Sequence, residues 1–187
     1  MPDQVQTLIG NCEPGYLKDV VTVAAHTGMR KGEILGMRRE YINWQAEMIS
    51  LPDSKNNDRR NIPMNAVVVD TLRKIDGDAP YFFENGNGRV RRDVKKAFHR
   101  ALRKSGIEDF RFHDLRHTFA SNLVMAGESI KAVQELLGHK DIKMTMRYAH
   151  LAPDYKKKAI KVLERIFTEK PEAKVVPLRV GEAQEGR

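Results

Sequence analysis

Cysteine is almost absent from this sequence of 187 residues, in which Cys12 stands alone. A single cysteine excludes an intramolecular disulfide and a metal cluster held by several cysteines. Long apolar runs are missing too, since none approaches the roughly 20 residues that a membrane-spanning helix needs. The N-terminus also lacks a basic-then-apolar signal pattern. These absences predict a protein of the reducing cytoplasm with no membrane segment.

Acidic residues are too few to balance the basic ones. Lys and Arg number 33 against 25 Asp and Glu, which gives a net charge of +8 and a pI near 9.6. Nearly all of this excess lies in residues 89–104, which contain eight Lys or Arg and one Asp. An apolar stripe runs through the same segment, so we predict one amphipathic helix over 89–104 with basic outer faces. This charge permits a polyanionic partner, and a solvated charged face is the alternative.

Apolar spacing predicts that most of the chain is helical. One helix is expected over 14–25 and another over 65–75, because each segment repeats apolar residues on one face. A short helix over 31–37 is expected to begin just after Arg30, and Glu33 is spaced to reach back to that guanidinium.

A different pattern, of short alternating apolar runs, occupies residues 41–64 and predicts three strands. Polar turns separate these runs, and we interpret them as a small antiparallel sheet. We expect Trp44 in the core and a loop over 76–88, where turn residues surround three aromatic side chains. The fold class is therefore mainly α with a small three-stranded antiparallel sheet, that is, α+β.

Residues 111–151 concentrate the polar groups that chemistry uses. His113 and Arg116 are three residues apart in a helical pattern, so both lie on one face beside the small Ala120. Side chains in this arrangement can converge on one ligand.

The second half of this segment places two more polar groups at helix boundaries. Ser129 is the expected N-cap of a short helix that Gly138 ends, so His139 follows directly after a helix. A further short helix, entered near Asp141, would carry Tyr148 one to two turns on. Its predicted buried side consists of Ile142, Thr145 and Ala149.

Four sequence boxes occur in order: TGMRKGE around Arg30, then HDLRHTFAS, then LGH, then RYAHL around Tyr148. Together they resemble the catalytic half of the tyrosine recombinases, the phage integrase family. The resemblance covers about residues 20–151. It implies the catalytic-domain fold of the DNA breaking-rejoining enzymes and a site-specific recombinase that acts on double-stranded DNA.

The resemblance implies a role for each matching residue. Tyr148 would be the nucleophile, while Arg30 and Arg116 would grip the phosphate through their planar guanidinium groups. His139 would donate a hydrogen bond to the developing charge. His113 would accept or relay the tyrosine proton.

A lysine completes the implied set. Lys55 in SKNNDRRNIPM matches the hairpin lysine of the family and would protonate the leaving 5′ oxygen, with Lys31 as a weaker competitor. Glu33 would orient Arg30. The covalent phosphotyrosine conserves the energy of the broken bond, so no metal, cofactor or ATP is expected.

Partners and domain limits are also implied. Four protomers on two DNA sites are expected, and the apolar helix over 154–168 would pack on a neighbouring subunit or on its own chain. Residues 1–168 are interpreted as the catalytic domain and 169–187 as a disordered tail, with the upstream core-binding domain of a full family member absent. The expected DNA contacts in the basic segment are Arg92, Lys95, Lys96, Arg100 and Arg103.

Three other interpretations remain open. His113 and His117 are four apart on a helix and, with His139, would suit a zinc hydrolase, although HDLRH has Asp where the peptidase motif needs Glu. Otherwise His117 is a supporting or packed histidine.

In a non-catalytic DNA-binding module Tyr148 would be an ordinary helix residue. A type IB topoisomerase would use the same chemistry to relax DNA without exchanging partners.

Overall fold

The computed structural model describes residues 2–52, 59–91, 93–153, 160–163 and 166–167. The chain divides into two compact units, 1–153 and 154–187. The elements of the first unit are α1 (Pro2–Asn11), α2 (Tyr16–Thr27), α3 (Lys31–Leu35), β1 (Ile42–Asn43), β2 (Met48–Pro52), β3 (Arg59–Pro63), α4 (Ala66–Arg73), α5 (Lys95–Lys104), α6 (Phe112–Ala126), α7 (Ile130–Leu137) and α8 (Lys143–Met146). In the second unit, residues 160–163 and 166–167 are helical. The predicted tail lies outside the described residues.

Helix α2 forms the centre of the first unit because several of its faces are apolar. Val20, Val21 and Val23 have no exposed surface, and α2 packs against α1, α3, α4 and α6. Among the described residues, no helix is both long enough and apolar enough to cross a membrane. Of the four helices that pack against α2, α1 was not predicted.

The turn after α2 depends on Gly28. Its φ of +63° lies in the left-handed region, and its N–H donates to the Ala24 carbonyl. A Cβ at this position would also overlap the ring of Phe119 on α6. The close approach of α6 to this turn therefore requires glycine, and it brings Arg30 next to α6.

The three-stranded sheet confirms the predicted fold class. β2 lies in the middle and pairs antiparallel with β1 and β3, so that Ile49 faces both Ile42 and Ile62. The prediction that Trp44 is in the core was wrong, because its side chain is 38% exposed. It meets Phe82 edge-on while the Arg73 guanidinium lies 5.5 Å from its ring centre, so it covers the core from outside.

Helix α5 is shorter than predicted. The segment before it pairs with the preceding loop, through a bridge between Glu84 and Val90 and an N–H of Arg91 that donates to the Phe83 carbonyl. The helix begins only at Lys95, so it includes ten of the sixteen residues of the basic segment.

Helices α6 and α7 contribute Ala120, Val124, Val133 and Leu137 to a second apolar cluster, which the ring of Tyr148 completes. The predicted caps of α7 are confirmed, since the Ser129 hydroxyl accepts from the Ala132 N–H and Gly138 is left-handed at φ +64°. Thr145 is buried as predicted and Ala149 is half-buried, but the prediction for Ile142 was wrong: it precedes the single turn of α8 as its N-cap and is exposed.

Replacing Gly28 with Ala should lower the free energy of unfolding by about 3 kcal/mol, because a left-handed alanine is strained and its Cβ would displace Phe119. Gly10→Ala is the matched control, since Gly10 is helical with nothing near its Cβ position. It should stabilise the protein by about 0.5 kcal/mol. Urea unfolding of both variants checks this, and equal midpoints would contradict it.

Candidate active site

Five of the six residues predicted to carry the chemistry line one cleft of about 380 Å³. They come from the turn before α3, from α6, from the end of α7 and from the end of α8. The lining residues are Arg30, His113, Arg116, His117, His139, Lys143, Met144, Arg147 and Tyr148. The sixth, Lys55, lies outside the described residues, and its weaker competitor Lys31 pairs with Asp93 at 3.7 Å.

Arg116 is almost fully buried at the floor of this cleft, with 4% of its surface exposed. Nη1 donates to the Gly28 carbonyl and Nη2 to the Leu137 carbonyl, both at 2.6 Å. These acceptors are neutral. Burial, followed by the charges of Arg30 and Arg60, lowers the pKa of Arg116 to about 10, so it remains a cation at neutral pH.

Arg30 is held by the residue that its spacing predicted. Glu33 Oε1 accepts from Arg30 Nη1 at 3.0 Å, and Oε2 accepts from the Arg30 backbone N–H at 2.8 Å. One carboxylate therefore caps α3 and orients the guanidinium. Burial alone would raise the pKa of Glu33, but the charge of Arg60 and these hydrogen bonds outweigh it and lower that pKa.

Arg60 belongs to the same network, although the sequence analysis gave it no role. Nη2 donates to Glu33 Oε2 at 2.7 Å and Nη1 donates to the Leu137 carbonyl at 2.6 Å. The alternation of β3 was the signal, because Arg60 is two residues from buried Ile62 and so points to the same face. An arginine on an inward face requires partners.

His139 follows the left-handed Gly138 that ends α7, as predicted. Its Nδ1 lies 2.9 Å from the Thr145 hydroxyl, and its backbone carbonyl accepts from the Gln134 amide at 2.9 Å. Burial, followed by the nearby charge of Arg116, lowers the pKa of His139 to about 4. Its imidazole is therefore neutral at neutral pH.

Tyr148 is buried except for 6% of its surface, and its hydroxyl lies 2.5 Å from Nδ1 of His117. Burial raises the pKa of this phenol, and the charges of Arg147 and Arg116 partly oppose the rise. His113 lines the same cleft, but its ring meets the ring of His117 edge-on, with centres 4.8 Å apart. The structure thus brings His117, rather than His113, to the tyrosine hydroxyl.

The zinc interpretation required His113, His117 and His139 to act together. Within the part of the chain that the structure describes, no group of three His, Cys, Asp or Glu side chains is placed to hold a metal ion. Nδ1 of His117 and Nδ1 of His139 are instead engaged by the hydroxyls of Tyr148 and Thr145.

The predicted DNA contacts form a separate surface. Lys95, Lys96, Arg100 and Arg103 are all exposed on α5, and none of them lines the cleft. Arg92 lies outside the described residues.

Comparison with known proteins shows the family of this chain. The model of the phage integrase family matches residues 1–154. The chain belongs to the phage integrase family. It is 34% identical over 182 residues to the integrase of Salmonella phage P22, and 35% identical over 166 residues to that of Escherichia phage 186. These alignments cover 89% and 86% of this chain but 47% and 46% of the relatives, so this integrase-family chain spans about half their length.

Solved structures show the same fold. The catalytic domain of bacteriophage HP1 integrase superimposes with a TM-score of 0.68 and 29% identity, over 86% of this chain and 92% of that one. XerA recombinase gives a TM-score of 0.70 and 27% identity, over 88% of this chain and 64% of that one. The fold is therefore that of a tyrosine recombinase catalytic domain.

Arg60→Met should lower the free energy of unfolding by about 2 kcal/mol, because it leaves the Glu33 carboxylate with one cation fewer in a partly buried site. Lys131→Met is the control, since the ion pair of Lys131 with Glu135 is two-thirds exposed on both sides. Its effect should stay below about 0.5 kcal/mol. Chemical denaturation measures both, and equal losses would contradict the buried role of Arg60.

Acid should destabilise the protein partly through His139. The pKa of its imidazole is about 4 in the folded state against 6.5 in the reference state. Between these values the unfolded chain binds more protons, so the free energy of unfolding falls as the pH drops through this window. His139→Gln should lose less stability over the same range, as measured by thermal melting. Parallel melting curves for the two proteins would show that His139 titrates normally.

Proposed function

We propose that this chain is the catalytic domain of a site-specific DNA recombinase, which cleaves and rejoins strands through a 3′-phosphotyrosine intermediate during integration or excision. The observation that carries the proposal is the convergence of Arg30, Arg116, His139 and Tyr148 on one cleft from four separate segments. Membership of the phage integrase family and the integrase relatives support the same activity.

A phosphate in the cleft would meet two fixed guanidinium groups. Arg116 is locked by two carbonyls and Arg30 by Glu33, so neither needs to reorganise when charge develops on the non-bridging oxygens. Neutral His139 adds a ring nitrogen that can donate a hydrogen bond to that charge. His113 lines the cleft beside them.

Tyr148 is the proposed nucleophile, and its oxygen forms the bond to phosphorus while the bond to the 5′ oxygen breaks. Lys55 is the proposed acid for that leaving oxygen. The new phosphodiester to tyrosine conserves the energy of the old one, so the reverse attack by a 5′ hydroxyl reseals the strand without ATP or metal. Cations near the phenol favour its ionised form.

Double-stranded DNA is the proposed partner. A net charge of +8 and the exposed basic face of α5 support it, with Arg92, Lys95, Lys96, Arg100 and Arg103 as phosphate contacts. We further propose that the whole protein assembles as a homotetramer on paired sites in the cytoplasm. Residues 1–168 would form the catalytic domain, followed by a tail over 169–187.

Covalent capture tests the proposal. The chain is incubated in EDTA with a pool of nicked duplexes of randomised sequence, and protein-linked DNA is recovered under denaturing conditions. A nick beside the cleavage position lets the short 5′-hydroxyl fragment leave, so the intermediate accumulates. Wild type and the control Tyr16→Phe should both yield linked DNA. Tyr148→Phe should reduce the yield of linked DNA at least about 1,000-fold, because it keeps the packed ring and removes the proposed nucleophile.

The outcomes separate the alternatives. Native-gel binding without any linked DNA would favour a DNA-binding module, and linked DNA that persists in Tyr148→Phe would mean another nucleophile. If the protein relaxes supercoiled DNA but exchanges no strands between two copies of the captured DNA sequence, a type IB topoisomerase is favoured. If linked DNA forms in buffer without EDTA but not when EDTA is present, cleavage is not metal-free.

A further inference from the structure

The hydroxyl of Tyr148 contacts a histidine to which the family resemblance gave no catalytic role. His117 directly follows Arg116 on α6, and its Nδ1 lies 2.5 Å from the phenol oxygen. The aromatic ring of Tyr148 is fixed at the same time, because it packs in the apolar cluster with Ala120 and Val124 of that helix. The helix that carries His117 therefore also packs against the ring that carries the hydroxyl.

A phenol that attacks phosphorus must give up its proton. Burial raises the pKa of Tyr148, so little phenolate exists at neutral pH before a base acts. A suitable base is neutral at that pH and within about 3.2 Å of the phenol oxygen. His117 meets both conditions, because burial first and the neighbouring His113 second lower its pKa below the usual value.

The surroundings of His117 contain groups of both signs. Asp114 opposes the lowering of its pKa, whereas the cations and His113 reinforce it. The titratable and charged groups that face His117 are Arg111, His113, Asp114, Arg147 and Tyr148.

We propose that His117 is the base that takes the proton of Tyr148 during strand cleavage. This inference rests on the recombinase function proposed above. As the Tyr148 oxygen bonds to phosphorus, its proton moves to Nδ1 of His117, and the bond from phosphorus to the 5′ oxygen breaks with a proton supplied by Lys55. On rejoining, His117 returns its proton to the departing Tyr148 oxygen. The proton-accepting role expected for His113 passes to His117.

A different role for the same contact predicts the opposite result. If the hydrogen bond only locks Tyr148 in a resting position, its removal frees the hydroxyl and cleavage becomes faster. If the bond only positions the ring, any hydrogen-bonding side chain of suitable length serves as well as imidazole. Kinetics separates these roles from proton transfer.

The test measures the rate at which the covalent complex forms in a single turnover, from about pH 5.5 to 9. It uses the full chain and the DNA sequences recovered by covalent capture. His117→Ala should slow cleavage by about 100-fold or more, and imidazole added to the buffer should restore part of the rate. His117→Gln keeps an acceptor oxygen that cannot take up the proton, so it should be as slow as His117→Ala and insensitive to imidazole. Wild type should lose rate as acid protonates His117, and His117→Ala should not show this dependence.

Controls keep the result interpretable. His150→Ala removes an exposed histidine near the same end of α8 and should leave both the rate and its pH profile unchanged. Thermal melting and native-gel binding establish that His117→Ala is folded and binds DNA, as alanine favours the helix at this position. His113→Ala reports on the competing base.

Several outcomes overturn the inference. A faster His117→Ala, a His117→Gln as fast as wild type, or rescue by imidazole in His113→Ala but not in His117→Ala each reject proton transfer to His117. If wild type forms the Tyr148-linked complex and His117→Ala matches its rate and pH profile, this inference falls while the recombinase function stands. If wild type forms no such complex, both fall.

Discussion

Two arginine side chains donate to one backbone oxygen, and the geometry of the cleft depends on that meeting point. Leu137 is the last residue of α7, so its carbonyl has no acceptor role within the helix. Arg116 and Arg60 each donate to it at 2.6 Å, at the helix end where the dipole favours cations. Glu33 then joins Arg60 to Arg30. The Leu137 carbonyl and the Glu33 carboxylate thus link three arginines from three segments, and the Gly28 carbonyl adds a second acceptor for Arg116.

Burial lowers the pKa of the histidines beside this cluster, and for His139 and His113 the positive charge of the cluster adds to that effect. The pKa of His139 falls to about 4, because burial and the charges of four arginines, Arg116, Arg30, Arg60 and Arg147, all disfavour the imidazolium form. His113 and His117 shift in the same direction, while burial keeps the phenol of Tyr148 protonated. At neutral pH the cleft thus combines fixed cations, neutral imidazoles and a neutral phenol. An anionic phosphate is the group that best compensates such a site.

Local features were predictable from the sequence because they depend on residues within one or two turns. The sheet was confirmed from alternation and short polar turns, and the caps of α7 from Ser129 and Gly138. The contact between Glu33 and Arg30 was confirmed from a spacing of three residues. The prediction of α5 failed at its start, because the loop immediately before it pairs with the first residues of the predicted helix.

The sequence by itself determined the fold class, the order of the four boxes and five of the nine residues that line the cleft, because periodicity, caps and motif spacing are written along the chain. Only the tertiary structure decided which groups meet. Neither the donation of Arg60 to an oxygen of α7 nor the choice of His117 over His113 at the hydroxyl of Tyr148 follows from spacing. Both histidines lie on neighbouring turns of α6, and the packing of Tyr148 against α6 and α7 selects between them.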